Sequence, residues 1–465
     1  MTAAATATPT RARVDWRLAL GAILLLAVAL RVAAIGSHIS LDDGYSYLVG
    51  SAPSPHAFLE QLARSENTPP LFYLLLAPLP PEHPAWLRLP AALPGVLVCA
   101  VLFVALRRPL GTRVALLAAL ATAVSPFLVT YSNLARGFML EDLALLVALW
   151  AMLRLMDGGR SKWWALYLVA GVIAVYSEYD AVVFLLALTA AAVWVGRPHR
   201  RRTAVLGAVP VLTLIPWIPQ IVHAQHFVNK TKLSPPFSSP SLVGLREATI
   251  TLTFGESGGL HATAARWLEF GVIIGALLAV WLVLRRPNRR GSASGERAIT
   301  VIAITVVLIL IGHALAGIVG IEIFNQRYFT ILVPLVATLG AAALVALELR
   351  WLTIAAAMLL LVLGIGNLIK RWGHQFEPSL VPVRTAVTAL HPRTVLTDTP
   401  VVIYYLRSLS PQLDRPFNIG PGRAATCARP CVIVDDLATR TGTPRTGVPA
   451  PSAVFNNRYG LIVVK

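Results

Sequence analysis

The residues of this chain best suited to chemistry are its few carboxylates and the arginines that fall beside them. Only 22 Asp and Glu occur in 465 residues, and two are adjacent, Asp42 and Asp43 in Ser40-Leu-Asp-Asp-Gly-Tyr-Ser-Tyr. Neighbouring acids next to an apolar run repel one another and are partly desolvated, which raises one pKa and suits a general base or a cation site. Capping a helix N-terminus and complementing its dipole would use the same pair. Other polar groups recur at matching places along the chain. Glu66 precedes Asn67-Thr68-Pro69-Pro70-Leu71-Phe72-Tyr73, and Arg136 lies in Tyr131-Ser-Asn-Leu-Ala-Arg-Gly-Phe with Glu141 and Asp142 a turn on. Glu178 lies in Tyr176-Ser-Glu-Tyr-Asp180, and Arg327 in Asn325-Gln-Arg-Tyr-Phe. Ionisable groups near apolar spans are expensive and mark function.

The rest of the chain is what must position them, and it is apolar. Hydrophobic residues make up 56% and charged ones 13%, with a mean hydropathy of +0.68. Soluble domains run nearer about 45–50% apolar and about 25% charged. An ordinary soluble enzyme, a disordered protein and a disulfide scaffold are excluded; this is an integral membrane protein. The net charge of +18 sits mostly in short clusters flanking apolar runs, such as Arg107-Arg108, Arg200-Arg201-Arg202 and Arg285-Arg286 with Arg289-Arg290. That placement is topological and argues against nucleic acid as a partner. Only five of the 40 basic residues are lysine, a bias that fits a GC-rich genome.

Eleven apolar runs are long enough to span a bilayer, beginning near Leu18, Leu89, Val114, Phe138, Trp163, Ala181, Ala204, Trp267, Ala298, Tyr328 and Trp351. The first, Leu18 to Ile35, is longer than a usual signal-peptide core and is read as a retained helix. Basic residues collect in alternate gaps, which sets the N-terminus in the cytoplasm and the C-terminus outside. The expected fold is an all-α polytopic membrane module over residues 1–369, with large outer loops at 36–88 and 223–266, and a small extracytoplasmic α/β domain over 370–465. That tail has short β-rich stretches at Arg393-Thr-Val-Leu, Cys431-Val-Ile-Val and Leu461-Ile-Val-Val, and a helix around Val402 to Arg407. Cys427 and Cys431 stand four apart on the oxidising side, where a local disulfide and two free thiols are both open; Cys99 is a packing residue. His38, His223, His226 and His313 are assigned no role, His313 reading as a helix-packing contact.

From about Leu18 to Leu188 the chain resembles the GT-C superfamily of polytopic glycosyltransferases, in particular the aminoarabinose transferases, protein mannosyltransferases and their bacterial relatives. Their pattern runs Asp-Glu-Ala-Tyr-Ser after the first span, Asp-x-His-Pro-Pro-Leu-Tyr-Tyr, Ser-Pro-Phe with Ala-Arg-Pro-Tyr, then Tyr-x-His-Tyr. The corresponding segments here are Asp42-Asp43-Gly44-Tyr45-Ser46, Glu66 to Tyr73, Ser125-Pro126-Phe127 with Ala135-Arg136-Gly137-Phe138, and Tyr176-Ser177-Glu178-Tyr179, and Arg327-Tyr328 with Pro334 fits a further Arg-Tyr element. Asp43 stands where the family has Glu, Thr68 where it has His, and Glu178 where it has a second His.

The resemblance implies transfer of a sugar from a polyprenyl-phosphate donor to a glycan, lipid or protein acceptor at the outer face of a bacterial plasma membrane. Asp42 then aligns with the catalytic Asp as base. Arg136 and Arg327 become candidate phosphate ligands, since a guanidinium offers two parallel donors to phosphate oxygens. Asp43, Glu66, Glu178 and Tyr45 become candidate substrate contacts, the three acids also as ligands of a divalent cation. A phosphate leaving group needs no general acid, and no Walker loop or glycine fingerprint for a nucleotide is present. The rival class is a transporter or lipid flippase, for which an internal repeat would be expected and none is found. A non-catalytic scaffold is a third reading and leaves the carboxylates unexplained.

Overall fold

The computed structural model describes residues 15–36, 39–65, 68–80, 84–196, 200–222, 241–254, 263–284, 292–319 and 325–373, and four strands beyond them. A bilayer core supplies no water to backbone N–H and C=O groups, so an apolar chain closes its hydrogen bonds within helices. Helix α1 (Trp16–Ile35) leads into three short helices, α2 (Leu41–Gly50), α3 (Pro55–Ser65) and α4 (Leu71–Leu76). There follow α5 (Pro84–Leu110), α6 (Thr112–Val124), α7 (Pro126–Ser132), α8 (Phe138–Met156), α9 (Lys162–Ser177), α10 (Ala181–Val195) and α11 (Arg200–Leu212). The remainder are α12 (Leu242–Phe254), α13 (Thr263–Leu284), α14 (Ala293–Ile318), α15 (Leu332–Ala346) and α16 (Arg350–Gly373).

Five stretches among the described residues are long and apolar enough to cross a membrane: Trp16–Ala33, Pro84–Leu110, Arg200–Val222, Arg266–Val283 and Ala293–Ile318. The pair α6 and α7, bent by 62°, makes a sixth. Helices α9, α10 and α15 and the Trp351–Val362 part of α16 are apolar but shorter, and α8 carries Glu141, Asp142 and Arg154 in its apolar run. The chain is therefore multi-pass. All eleven expected span starts fall on helix, except Tyr328, which lies in a 3-10 turn, Gln326–Phe329, just ahead of α15. The first loop, expected as one outer segment, is mostly helix, and the second expected loop contains α12.

Small residues bring the helices together, since lipid removes the hydrophobic drive that would do so in water. Ala144, Ala148 and Ala151 line one buried face of α8, which packs against α5 and α9. Ala115, Ala118 and Ala119 of α6 are equally buried, against α5 and α15. The bend between α6 and α7 is made by Pro126, which opens α7, with Ser125 as its cap. A carbonyl at the bend, that of Ala123, takes a donor from Arg31 of α1. Its Nη1 donates to Ala27 O at 3.1 Å and Ala123 O at 3.3 Å, and its Nε to Ser132 Oγ at 3.0 Å.

The two ends of the bundle differ in charge. At one, Arg107 stacks over Trp16, 3.8 Å from the ring centre, and Arg297 pairs with Asp157 at 3.3 Å. The other end, where α1 finishes and α5 and α8 begin, gathers the carboxylates. The described part of the tail forms a four-stranded sheet, β1 (Thr394–Thr397), β2 (Cys431–Asp435), β3 (Ala453–Phe455) and β4 (Gly460–Val464), in the order β1-β2-β4-β3. Strands β1 and β2 run parallel and the other pairs antiparallel. Three of these strands are those read from the sequence; the expected helix at 402–407 and Cys427 lie outside the described residues, as do His38, His223 and His226.

Candidate active site

The acidic pair opens α2. Ser40 Oγ accepts the Asp43 N–H at 3.2 Å, and the Ser40 N–H donates to Asp43 Oδ2 at 2.8 Å, a capping box that fixes the first turn. Successive helical residues point about 100° apart, so the two acids face different neighbours. Each acid meets its own arginine.

Asp43 is fully buried and both its oxygens are engaged. Oδ2 accepts from Arg88 Nη2 at 2.7 Å and Nε at 3.2 Å, and Oδ1 accepts the Ala135 N–H at 2.6 Å. One turn further along α2, Ser46 Oγ donates to Ala135 O at 2.5 Å. Helix α2 thus grips Ala135 by both backbone groups, and the next residue, Arg136, is delivered to Asp42. Arg136 Nη2 donates to Asp42 Oδ1 at 2.8 Å, with the Asp42 side chain 31% exposed and that of Arg136 8%. Arg136 Nη1 donates to the Tyr73 hydroxyl at 2.8 Å, which lies 2.6 Å from Thr68 Oγ1. Burial would push the Asp42 carboxyl up, but Arg136 and Arg327 overcome it and hold Asp42 below its ordinary value.

Arg327 reaches the same place from the turn before α15. Asn325 Oδ1 accepts the Arg327 N–H at 3.2 Å, and Thr330 Oγ1 donates to buried Asp142 Oδ1 at 3.0 Å, anchoring the turn on α8. Burial would lower the Arg327 guanidinium, but the charge of Asp42 keeps it above its ordinary value. Among the described residues that guanidinium donates no hydrogen bond to protein.

Glu178 follows the last turn of α9 and is 2% exposed. A methyl group at Gly137 would run into the Ser177 carbonyl and stand 2.9 Å from Glu178 Oε1, so the start of α8 and the end of α9 meet at van der Waals distance only because residue 137 lacks a side chain. Behind it lie Glu141, Asp142 and Asp180, all buried. Burial pushes the Asp180 carboxyl up to about 7. Glu141 Oε2, Asp142 Oδ2 and Asp180 Oδ1 have no hydrogen-bond partner among the described residues.

Asp42, Asp43, Arg136 and Arg327 are thus brought together, with Glu178 nearby. Tyr45 lies on α2, partly exposed, three residues after Asp42. Glu66 lies outside the described residues. No three His, Cys, Asp or Glu among the described residues are placed to hold a metal ion. Two arginines escaped the sequence reading, Arg88 and Arg31; both are ionisable residues at or inside an apolar run, the one signal that would have found them. His313 is buried, with Nδ1 at 2.9 Å from Ile309 O and its ring 4.8 Å from that of Phe329, a packing residue as expected.

The family model for dolichyl-phosphate-mannose-protein mannosyltransferases matches residues 72–223. No curated protein sequence matches the chain significantly. Among solved structures, the oligosaccharyltransferase of Archaeoglobus fulgidus in complex with Zn and sulfate superposes with a TM-score of 0.52 at 15% identity, covering 90% of this chain and 68% of that one. Its apo form gives 0.51 at 14% identity, over 93% and 70%. ArnT of Cupriavidus metallidurans bound to undecaprenyl phosphate gives 0.46 at 16% identity, over 96% and 97%. Over residues 72–223 the chain is thus similar to the mannosyltransferase family, and its fold is similar to that of the archaeal oligosaccharyltransferase.

Proposed function

We propose that the protein transfers a sugar from a polyprenyl-phosphate donor to an acceptor hydroxyl at the outer face of a bacterial plasma membrane, with Asp42 as general base. The observation that carries this reading is the meeting of a part-exposed carboxylate, Asp42, with two arginines from distant segments at the end of the bundle opposite the basic flanks. The positive-inside rule puts that end outside, with the N-terminus in the cytoplasm and eleven spans in all. The matched family segment, whose description names a lipid-phosphate sugar, supports the donor class.

The two arginines have different work. Arg136 has both terminal nitrogens engaged, on Asp42 and Tyr73. Arg327 faces the same carboxylate with its guanidinium donors open, so it takes the donor phosphate. Asp42 removes the acceptor proton, the acceptor oxygen bonds to the anomeric carbon, and the carbon–phosphate-oxygen bond breaks with its electrons leaving on polyprenyl phosphate. Arg327 neutralises that growing charge, the kind of preorganised stabilisation that dominates such steps. Phosphate bound to Arg327 also weakens the field on Asp42 and makes it a stronger base when the donor is in place.

Asp43, with both oxygens held by protein donors, positions α2; Glu178 and Tyr45 border the sugar. No step here runs through a divalent cation. The acceptor is a glycan, a lipid or a protein. Transfer of label from polyprenyl-phosphate sugars into membranes containing the full chain tests the reading. Activity in the parent and its loss in Asp42→Asn, at equal protein level, is expected. An active Asp42→Asn variant removes Asp42 as base, and substrate movement across liposomes without a new glycosidic bond would favour a transporter.

A further inference from the structure

We infer that the end of the bundle opposite Asp42 holds the phosphate headgroup of an anionic phospholipid, on Arg154, Lys162 and Arg202 gathered over the indoles of Trp163 and Trp164. The Arg154 guanidinium lies 5.0 Å from the centre of the Trp163 ring and the Lys162 ammonium 5.7 Å from it. The Arg202 guanidinium lies 5.8 Å from the centre of the Trp164 ring. All three fall within the reach of about 6 Å at which a ring face attracts a cation. Three helices contribute: Arg154 stands in the last turn of α8, Lys162 opens α9, and Arg202 belongs to the run that opens α11.

The turn between α8 and α9 fixes this meeting. The Gly159 N–H donates to the Arg154 carbonyl at 2.8 Å, and a methyl group at residue 159 would run into that carbonyl and the Trp163 ring. Trp150 meets Trp163 edge-on with ring centres 5.2 Å apart, and Trp164 is buried, so packing holds both indoles. What the cluster lacks is an anion. Among the described residues, no side-chain nitrogen of Arg154, Lys162 or Arg202 donates a hydrogen bond to protein or pairs with a carboxylate. The one acid of the turn, Asp157, is taken by Arg297 at 3.3 Å and by Ser294 Oγ at 2.8 Å. Helices α9 and α11 also open on cations with no acid in their first turn, which sets like charge against the positive end of each helix dipole. A bound phosphate offsets both repulsions.

The occupant is a lipid rather than a free anion because apolar surface continues from the cations. Val169 lies about two turns along α9 from Lys162, on nearly the same face, and Val205 follows Arg202 by one turn of α11; both are exposed. Acyl chains lie along such a surface while tryptophans and basic residues mark the headgroup level, and basic pockets between spans take anionic headgroups. Charge selects among lipids. A zwitterionic headgroup brings its own ammonium to three cations, and a net-negative one does not. The positive-inside rule accounts for basic residues at this end, but not for three of them sharing two adjacent rings. On the orientation proposed above, the leaflet is the cytoplasmic one.

The test is native mass spectrometry of the full-length protein released from micelles that carry phosphatidylglycerol and phosphatidylcholine in equal amounts, read as the lipid each variant retains. The parent is expected to retain phosphatidylglycerol about 10-fold over phosphatidylcholine. Lys162→Gln and Arg202→Gln, both at exposed positions, should each lower that preference about three- to fivefold. Trp163→Leu keeps the charges and removes their platform, and should lower it as well; the two exposed variants decide the matter if this one fails to accumulate. Arg108→Gln removes an exposed cation of the same end that stands over no ring among the described residues, and should leave the preference within about twofold. Phosphatidylglycerol should also raise the melting temperature of the parent, and inorganic phosphate at the same concentration should not. No preference in the parent, or an equal loss in Arg108→Gln, would overturn the site. Stabilisation by inorganic phosphate as strong as by the lipid would overturn the lipid as its occupant. None of these readouts uses sugar transfer, so they stand apart from the role of Asp42.

Discussion

Asp43 Oδ1 accepts the backbone N–H of Ala135 at 2.6 Å, across 92 residues of sequence. The bond is to backbone, so it fixes the path of the chain at residue 135 whatever the side chain there. Its consequence is felt one residue later, where Arg136 reaches Asp42. The adjacent acids of α2 thus differ in setting: Asp43 fixes the geometry, and Asp42 stays part-exposed beside Arg136.

Breaking the Asp43–Arg88 pair should cost folding before it costs chemistry. Both side chains are almost wholly buried, 0% and 3% exposed, and removing one partner of a buried pair leaves an uncompensated charge worth about 3–5 kcal/mol. Arg88→Ala is expected to reduce folded protein sharply, read as lower accumulation and earlier thermal unfolding in detergent. Normal stability of this variant would contradict the role given to Asp43.

Lysine exchanges should separate the two arginines of the site. Arg136→Lys keeps the charge but loses the two-nitrogen fork that bridges Tyr73 and Asp42, so kcat should fall with little change in donor KM. Arg327→Ala removes the guanidinium proposed to hold the leaving phosphate and should cost about 100- to 1,000-fold in kcat/KM, with Arg327→Lys recovering part of it. Steady-state kinetics over a range of donor concentrations checks both.

Stability should fall as pH rises through the neutral range. The Asp180 carboxyl is pushed from an ordinary 3.8 up to about 7 by burial. Between those values the folded protein keeps a proton that the unfolded chain releases, so the stabilisation is full below the lower value and lost above the higher one. Thermal unfolding in detergent should occur at a higher temperature near about pH 5 than near about pH 8, and Asp180→Asn should flatten the difference.

Gly137→Ala should impair activity out of proportion to its size. The added methyl would meet the Ser177 carbonyl, which is backbone and cannot swing aside, and press on Glu178 Oε1. The start of α8 would have to move, and Arg136 with it. The variant is expected to insert and accumulate but to transfer poorly; parent-like transfer would show that α8 and α9 can separate without disturbing the Arg136–Asp42 bond.

The site was partly legible because ionisable residues are rare in an apolar chain and each stands out. Asp42, Asp43, Arg136, Glu178 and Arg327 could be named from type and local setting. What could not be read was which carboxylate meets which arginine. Asp42 and Asp43 are adjacent and alike in sequence, and only the turn of α2 sends one towards Arg88 and the other towards Arg136. Arg88 and Arg31 were passed over because a span boundary is drawn by hydropathy, and a single arginine at or within an apolar run reads as an edge or an exception.

The sequence by itself determined the class of the protein: apolar runs too long for a soluble core force helices, and basic flanks at alternate gaps divide the chain into two ends. It also placed β-strands in the tail, from short runs of branched residues. The tertiary structure alone decided the register between segments that lie far apart, such as Thr68, Tyr73, Arg136 and Arg327 around Asp42. The reason is physical: hydropathy and helical period are local properties of a chain, whereas a 2.6 Å bond between residues 43 and 135 exists only once α5 to α8 have packed and brought the two ends of that long segment to the same face.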